Sequence, residues 1–228
     1  MRYRYDSPIA LKRSKKYGNN YVQFYSPKIS RVVTAYSNLE YFNLITLEMD
    51  PFVEWYCEQP VEAHLFDPLG KEEICIPDVY VYYRDGKEEM QEVKYSAEYE
   101  GEGPETSRAW AQRRREERWS RENGMEFVVR TEKEIIVGKS VQNLGYLCRR
   151  IRPKRIPQDK LRTDIKNYVG THVYKGNTLK DIKDMIDSPY SSILDCIAFM
   201  YWKGEVDIPD VFSDTVINLN SRITLPGV

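Results

Sequence analysis

The stretch IPDVYVYYRDGKEEMQEVKYS, residues 76–96, constrains this chain more than any other. Runs of β-branched and aromatic residues lie on either side of Arg84-Asp85-Gly86, the composition of a β-hairpin. Side chains alternate between the two faces of a strand, so Glu92 and Lys94 share a face and Val93 takes the other. Loop length decides whether Asp78 joins them. A two-residue Asp85-Gly86 loop sets Arg84 opposite Lys87 and Asp78 opposite Val93, on the wrong face. A three-residue loop sets Tyr83 opposite Lys87 and Asp78 opposite Glu92. Loops of the second kind join a type I turn to an αL residue, usually Gly, as a G1 bulge. If the hairpin is a functional site, Arg84-Asp85-Gly86 is that loop and Gly86 has positive φ.

Two facing carboxylates repel unless a cation lies between them or one keeps its proton. Oxygen ligands without histidine favour Mg²⁺ or Mn²⁺ over zinc. A carboxylate-held metal with a lysine alongside suits phosphodiester hydrolysis. The metal polarises the phosphate and activates water, and the ammonium orients that water or stabilises the developing charge. The plainer reading is a surface hairpin whose Glu92 and Lys94 are only solvated.

Around the hairpin, SNLEYFNLITLEMD (37–50) has helical spacing of Leu39, Phe42, Ile45 and Met49, with Ser37 as N-cap. VEWYCEQPVEAHLF reads as extended and EYEGEGPE (98–105) as a loop. Residues 106–124 form an arginine-rich helix stopped by Gly124. MEFVVR (125–130) is a strand, and TEKEIIVGKSVQNLGYLCRR returns to helix. This order predicts an α/β or α+β domain with a mixed sheet. RRIRPKRIPQ (149–158), with two prolines and no acid, is a linker or boundary. Beyond it, three helical patterns and two extended pieces, GEVDI and TVINLNSRITL, predict a small winged-helix-like domain.

The chain has 228 residues, enough for one substantial domain and a small one. No apolar run is long enough to span a bilayer and no signal-peptide pattern is present, so a cytoplasmic protein is expected. Cys57, Cys75, Cys148 and Cys196 are too scattered for a zinc site, and buried reduced thiols are expected. The net charge of −1 hides a segregation. Residues 1–36 hold eight Lys/Arg against Asp6 alone, with six tyrosines interleaved. Residues 40–105 hold eighteen Asp/Glu against four Lys/Arg. Either a polyanion meets the basic parts while an acidic pocket lies elsewhere, or the charges intermix on the folded surface. Lys12, Arg13, Lys15 and Lys16 of the arm, and Arg149, Arg150, Arg152, Lys154 and Arg155 of the linker, are the candidate DNA-backbone contacts. The alternative for the arm is an extension packed on the core. Most arginines of the 106–124 helix read as a solvated face with i,i+4 pairing to Glu117.

Asp78 after Pro77, followed by Glu92-Val93-Lys94, resembles the PD…(D/E)-x-K pattern of the restriction-endonuclease-like nucleases. The segment YSNLEYFNLITLEMDPFVEWYCEQPVE (36–62) resembles what precedes the catalytic hairpin in TnsA-type endonuclease subunits of heteromeric transposases, and FVVRTEKEI (127–135) resembles their post-helix strand and turn. The resemblance implies a restriction-endonuclease-like mixed sheet flanked by helices over 37–148, after a basic Tyr-rich arm (1–36), and before the linker and a winged-helix-like domain (159–228). It implies Glu40 as the helix-borne acid of the site and Asp78 and Lys94 as metal ligand and catalytic lysine. Some such proteins carry glutamine where this chain has Glu92, so the expected metal ligands are Glu40, Asp78 and Glu92. On helix chemistry alone Glu40 is also the N3 residue of a Ser37 capping box. Glu48, Glu54 and Glu58 are nearby rivals, with Glu58 either supporting the site or solvated.

The function implied is a Mg²⁺-dependent endonuclease that cuts the 5′, non-transferred strands at mobile-element ends, beside a TnsB-like transposase and a TnsC-like ATPase regulator. The alternatives are a stand-alone restriction or repair nuclease of the same fold, or a non-catalytic DNA-binding adaptor. The third helix of the C-terminal domain has Lys203 as its lone cation and is otherwise largely apolar. It is a poor groove reader and points to a structural or protein-docking role.

Overall fold

The computed structural model describes residues 3–9, 21–66, 69–100, 108–152, 156–172 and 177–227. Its organising element is the hairpin predicted above. Strands β6 (Val79–Tyr83) and β7 (Glu88–Val93) pair antiparallel, with Val79 opposite Gln91 and Tyr82 opposite Glu88. Continued one step past Val79, that register sets Asp78 opposite Glu92. The loop has three residues. Tyr83 N donates to Lys87 O (2.9 Å), Gly86 N to Tyr83 O (3.0 Å), and Asp85 Oδ1 accepts from Lys87 N (3.0 Å). Gly86 has φ +91°, as the three-residue loop requires.

The remaining elements fall in chain order around this hairpin. A first hairpin pairs β1 (Val22–Ser26) with β2 (Arg31–Ala35) and is followed by helix α1 (Asn38–Met49). Strand β3 (Val53–Glu58) lies against β6, and β4 (Ala63–Phe66) and β5 (Glu72–Cys75) form a separate ribbon. After β7 come α2 (Ser96–Glu100), α3 (Arg108–Glu122), β8 (Glu126–Arg130) and α4 (Glu132–Ile135). The main sheet has the order β3-β6-β7-β8, with β7 and β8 parallel. Parallel neighbours need a crossover, and α3 supplies it.

One face of this sheet buries Val79 and Val81 with Leu44 and Leu47 of α1 and with Ile29, Val33 and Ala35 of the first hairpin. The other buries Tyr80 and Met90 with Trp119 of α3 and with Met125. Gly124, at φ +72°, closes α3 as expected. The first hairpin is therefore part of the core, not of a free arm. Residues 3–9 strap the sheet as well. Tyr3 stacks on Trp55 at 4.5 Å and donates to Glu54 (2.8 Å), Trp55 Nε1 donates to Tyr5 O (2.9 Å), and Tyr5 meets Tyr80 edge-on at 5.0 Å. Tyr3 and Tyr5 serve as packing rather than as stacking platforms for bases. Residue 101 and the rest of the expected 98–105 loop through residue 105 lie outside the described residues, and its start, 98–100, is helical within α2.

The chain divides into two compact units, Met1–Leu47 with Phe52–Ile135, and Glu48–Pro51 with Ile136–Val228. The division falls before the basic stretch at 149–158, because α5 (Ser140–Cys148) belongs to the second unit with α6 (Asp159–Thr171), α7 (Leu179–Met185) and α8 (Tyr190–Trp202). Helix α7 carries a capping box, Thr178 with Asp181. Asn143, buried in α5, donates to the carbonyls of Val211 and Thr215 (3.0 Å each) and accepts from Ile217 N (2.9 Å), fixing the loop after the 3-10 turn Pro209–Phe212. The expected β-wing reduces to two isolated bridges, Thr178–Arg222 and Asp207–Thr224. Helix α8 is core, with Ile193, Leu194, Cys196, Ile197, Ala198, Met200 and Tyr201 buried. No helix among the described residues is long and apolar enough to cross a membrane. All four cysteines are free and buried.

Candidate active site

Glu92 and Lys94 leave β7 on the α3 side of the sheet, the same side as Met90. Glu92 is buried, and Lys94 Nζ lies 3.1 Å from its Oε1. Lys94 N donates to Arg130 O (3.1 Å), so the β7–β8 ladder holds the backbone beneath the ammonium. Asp78 sits one residue before β6. Its carbonyl accepts from Gln59 N (2.8 Å), and its Oδ2 accepts from Val93 N across the hairpin (2.7 Å). The register thus puts Asp78, Glu92 and Lys94 on one face, as a three-residue loop requires.

Glu40 reaches the group electrostatically from the start of α1. Ser37 Oγ accepts from Glu40 N (3.1 Å), which is the N-cap bond. Glu40 Oε2 accepts from Tyr36 N (2.9 Å), one residue before the Ser37 N–H that a standard capping box would use. Its carboxylate is thereby engaged as a cap, and the capping and active-site readings describe one side chain.

The charge state of this cluster follows from crowding. Burial, then Glu92, then Glu40 push the Asp78 carboxyl well above its usual range, against the Val93 N–H that favours its ionised form. Glu40 is raised by burial, against the hydrogen bonds from Tyr36 and Ser37, with Glu92 adding to the rise.

The structure adds a residue that sequence reasoning missed. Glu116, in the arginine-rich helix α3, is fully buried and comes within hydrogen-bonding reach of Glu92. Gln112 Nε2 donates to its Oε1 (3.0 Å). Neither Glu116 Oε2 nor Glu92 Oε2 has a hydrogen-bond donor. Burial and the charge of Glu92 push the Glu116 carboxyl up to about 8. The signal was present in the sequence: Glu116 lies three residues before Trp119 and four before Ser120, on the helix stripe that faces the sheet.

Among the described residues, no three carboxylate, histidine or cysteine side chains are placed to hold a metal ion by themselves. The expected set of Glu40, Asp78 and Glu92 is thus not assembled as a three-ligand clasp, because Glu40 is turned to its own helix start. The facing pair Asp78 and Glu92 still fits a hard divalent cation. Mg²⁺ commonly uses one or two carboxylates and takes its other ligands from water and substrate phosphate. Two crowded acids and an orphaned buried carboxylate oxygen are the donor chemistry such an ion satisfies.

The other candidates separate clearly. Glu58 is not solvated, and its pairing with Val79 puts it on the α1 face of the sheet, opposite to Asp78. It is buried in a two-point ion pair with Arg31 (2.7 and 2.6 Å) and accepts from Thr34 N (3.2 Å), tying β2 to β3. Glu54 receives Tyr3, and Glu48 is buried. Arg150 has an acidic neighbour after all, Asp195 at 2.9 Å, and lies over the Tyr146 ring at 4.6 Å. Arg149 and Arg152 are exposed. Lys12, Arg13, Lys15, Lys16, Lys154 and Arg155 lie outside the described residues. On α3, Arg118 pairs with Glu122 (3.0 Å), Arg121 with Glu117 (3.8 Å) and Arg115 with Glu73 of β5 (3.0 Å), which agrees with a largely self-paired face.

No curated protein matches the chain. A family model does: TnsA-like endonuclease N terminal, over residues 50–132. That span begins just after α1, so it leaves out Glu40, and it contains Asp78, Glu92, Lys94 and Glu116 on the hairpin and helix of the candidate site. Over these residues the chain is similar to the N-terminal domain of TnsA-like endonucleases.

Proposed function

We propose that this protein is a Mg²⁺-dependent DNA endonuclease, the subunit of a heteromeric transposase that hydrolyses the 5′, non-transferred strands at the ends of a mobile element. One observation carries the chemistry: the three-residue loop sets Asp78 opposite Glu92, with Lys94 3.1 Å from Glu92 on the same face. The TnsA-like domain supports the transposase setting.

Asp78 and Glu92 would hold the cation. When bound, it polarises the scissile phosphate and lowers the pKa of the attacking water. Lys94 has three ammonium hydrogens, of which one engages Glu92. The ammonium would orient the water and stabilise charge on the phosphate oxygens as the P–O bond breaks. Asp78 is kept in place by Val93 N–H, so it needs little reorganisation to take up the ion. Glu40 adds negative charge from the helix start without leaving its cap. Glu116 and Gln112 stand behind Glu92, where partners of a ligating carboxylate fix its orientation.

The C-terminal unit suits docking to a partner better than base reading, since α8 spends its apolar residues on its own core. Positioning at the element ends then falls to a TnsB-like transposase, with a TnsC-like ATPase as regulator. The test is an element-end DNA with Mg²⁺, with and without the partner transposase. The expected result is nicking of the 5′ strand by wild type with the partner, and none by Asp78→Ala or Lys94→Ala. No wild-type nicking in either condition, or undiminished nicking by both variants, overturns the proposal. Equal cleavage of naked DNA without the partner would move the protein to the stand-alone nucleases.

A further inference from the structure

Beside the catalytic row lies a cavity of about 470 Å³, lined by Arg113 and Glu117 of α3, Phe127 and Val129 of β8, and Thr131, Lys133 and Glu134 at the β8–α4 junction. The β7–β8 register places it. Met90 pairs with Phe127 and Glu92 with Val129 in parallel, and Lys94 N bonds Arg130 O, so Phe127, Val129 and Thr131 share the face of Met90, Glu92 and Lys94. Arg113 lies one helical turn before Glu116 on α3 and comes to the same side. The floor is apolar and the rim is cationic at two points, Arg113 and Lys133. Two acids line the cavity as well: Glu134 accepts from Thr131 N (2.8 Å) and Thr131 Oγ1 (2.5 Å), and Glu117 lies 3.8 Å from Arg121.

We propose that this cavity is the subsite for the nucleotide adjoining the scissile phosphate, with Arg113 and Lys133 taking its backbone phosphate and Phe127 and Val129 supporting its sugar or base. The inference rests on the nuclease reading above. A phosphodiester strand whose scissile phosphate meets Glu92 and Lys94 must run on past them in some direction. The cavity opens the next position on the same face, with the apolar-plus-cationic character that nucleotides select.

The test measures DNA binding by fluorescence anisotropy with Ca²⁺ in place of Mg²⁺, across a range of salt, for wild type, Arg113→Ala, Lys133→Ala and the double variant. Arg114→Ala, whose guanidinium lies over Trp110 at 4.9 Å, is the control. Each single variant is expected to lower the salt slope by about one. The double variant is expected to weaken binding by about tenfold. Unchanged slopes, or an equal loss with Arg114→Ala, overturn the subsite. In either case wild-type cleavage and its loss in Asp78→Ala are read separately, so failure of the subsite is distinct from failure of the nuclease reading.

Discussion

On the α1 side of strand β7, Glu89 and Gln91 are buried and fully engaged; on the α3 side, Glu92 is buried and half engaged. Gln91 accepts from Asn43 Nδ2 (3.0 Å) and donates to Glu89 Oε2 (2.9 Å). Glu89 also receives Tyr83 OH (2.9 Å) and the Lys87 ammonium (2.9 Å). Burial alone would raise the Glu89 carboxyl, but Lys87, Gln91 and Tyr83 outweigh it and hold it below its usual range. Glu92 has Lys94 on one oxygen and no donor on the other, and it faces Glu116, whose own Oε2 is orphaned. Two acids on one strand, three residues apart, thus have opposite surroundings. A satisfied buried network specifies a fold, whereas an unsatisfied one is tolerated where a substrate, ion or proton completes it.

The largest expected effect breaks the α3 side. Asp78→Ala or Lys94→Ala should reduce strand cleavage by about 10³-fold or more, the scale on which removal of a preorganised charge acts. Circular dichroism and the thermal midpoint should stay near wild type, because neither side chain holds the core together. A collapse of the fold would mean that this side is structural, like the other.

The next effect breaks the α1 side. Glu89→Ala leaves Lys87, Gln91 and Tyr83 without their shared acceptor, and should cost about 3 kcal/mol by urea unfolding. Cleavage per folded molecule should change little. A loss of activity at unchanged stability would erase the distinction between the two faces.

Glu116 sharpens the comparison through pH. Its carboxyl is raised from 4.5 to about 8, so the folded protein binds that proton more tightly than the unfolded chain does. The stability this confers is complete below about pH 4.5 and is lost as pH rises toward about 8. Without divalent cation, the midpoint of the wild type should therefore fall across that window. Glu116→Gln, which cannot ionise, should flatten the fall and stabilise the protein at pH 8 by at least about 1 kcal/mol, or roughly 2–4 °C. Mg²⁺, bound by the folded state alone, should offset the fall in wild type. A midpoint that rises with pH would contradict this account of the cluster.

What the sequence made legible follows the range of the forces involved. Strand alternation and loop length are local, so the pairing of Asp78 with Glu92 and the positive φ of Gly86 could be derived from residues 76–96. The helix over 37–50 and the stop at Gly124 are local too. Glu116 was missed because its neighbours Arg113, Arg114, Arg115 and Glu117 give the helix a solvated look, and only the crossover packing reveals which stripe turns inward. Arg150 and Glu58 were misread for a related reason. Their partners are distant in sequence, at 195 and 31, and ion pairs of that range leave no periodic trace. The C-terminal unit shows the third kind of limit. Its helices have clear spacing, but GEVDI meets the last segment through the single Asp207–Thr224 bridge, and Val211, Thr215 and Ile217 between them are held by side-chain bonds from Asn143; composition does not separate such contacts from a strand ladder.

The smallest effect concerns the device that separates the two faces. Gly86 is in the left-handed region, and a Cβ added there meets nothing within 4 Å. Gly86→Ala therefore carries only a conformational cost, about 1 kcal/mol, with no steric one. The hairpin should keep its register, since slipping by one residue would move Glu89 and Gln91 away from Asn43 and place Asp78 opposite Val93. The expected outcome is a midpoint lowered by roughly 2–4 °C with cleavage per folded molecule intact. Deleting Gly86 is the contrasting change: it forces a two-residue loop, exchanges the two faces of β7 relative to β6, and should abolish cleavage together with much of the stability. If the deletion variant still cut DNA, the facing of Asp78 and Glu92 would not be what assembles this site.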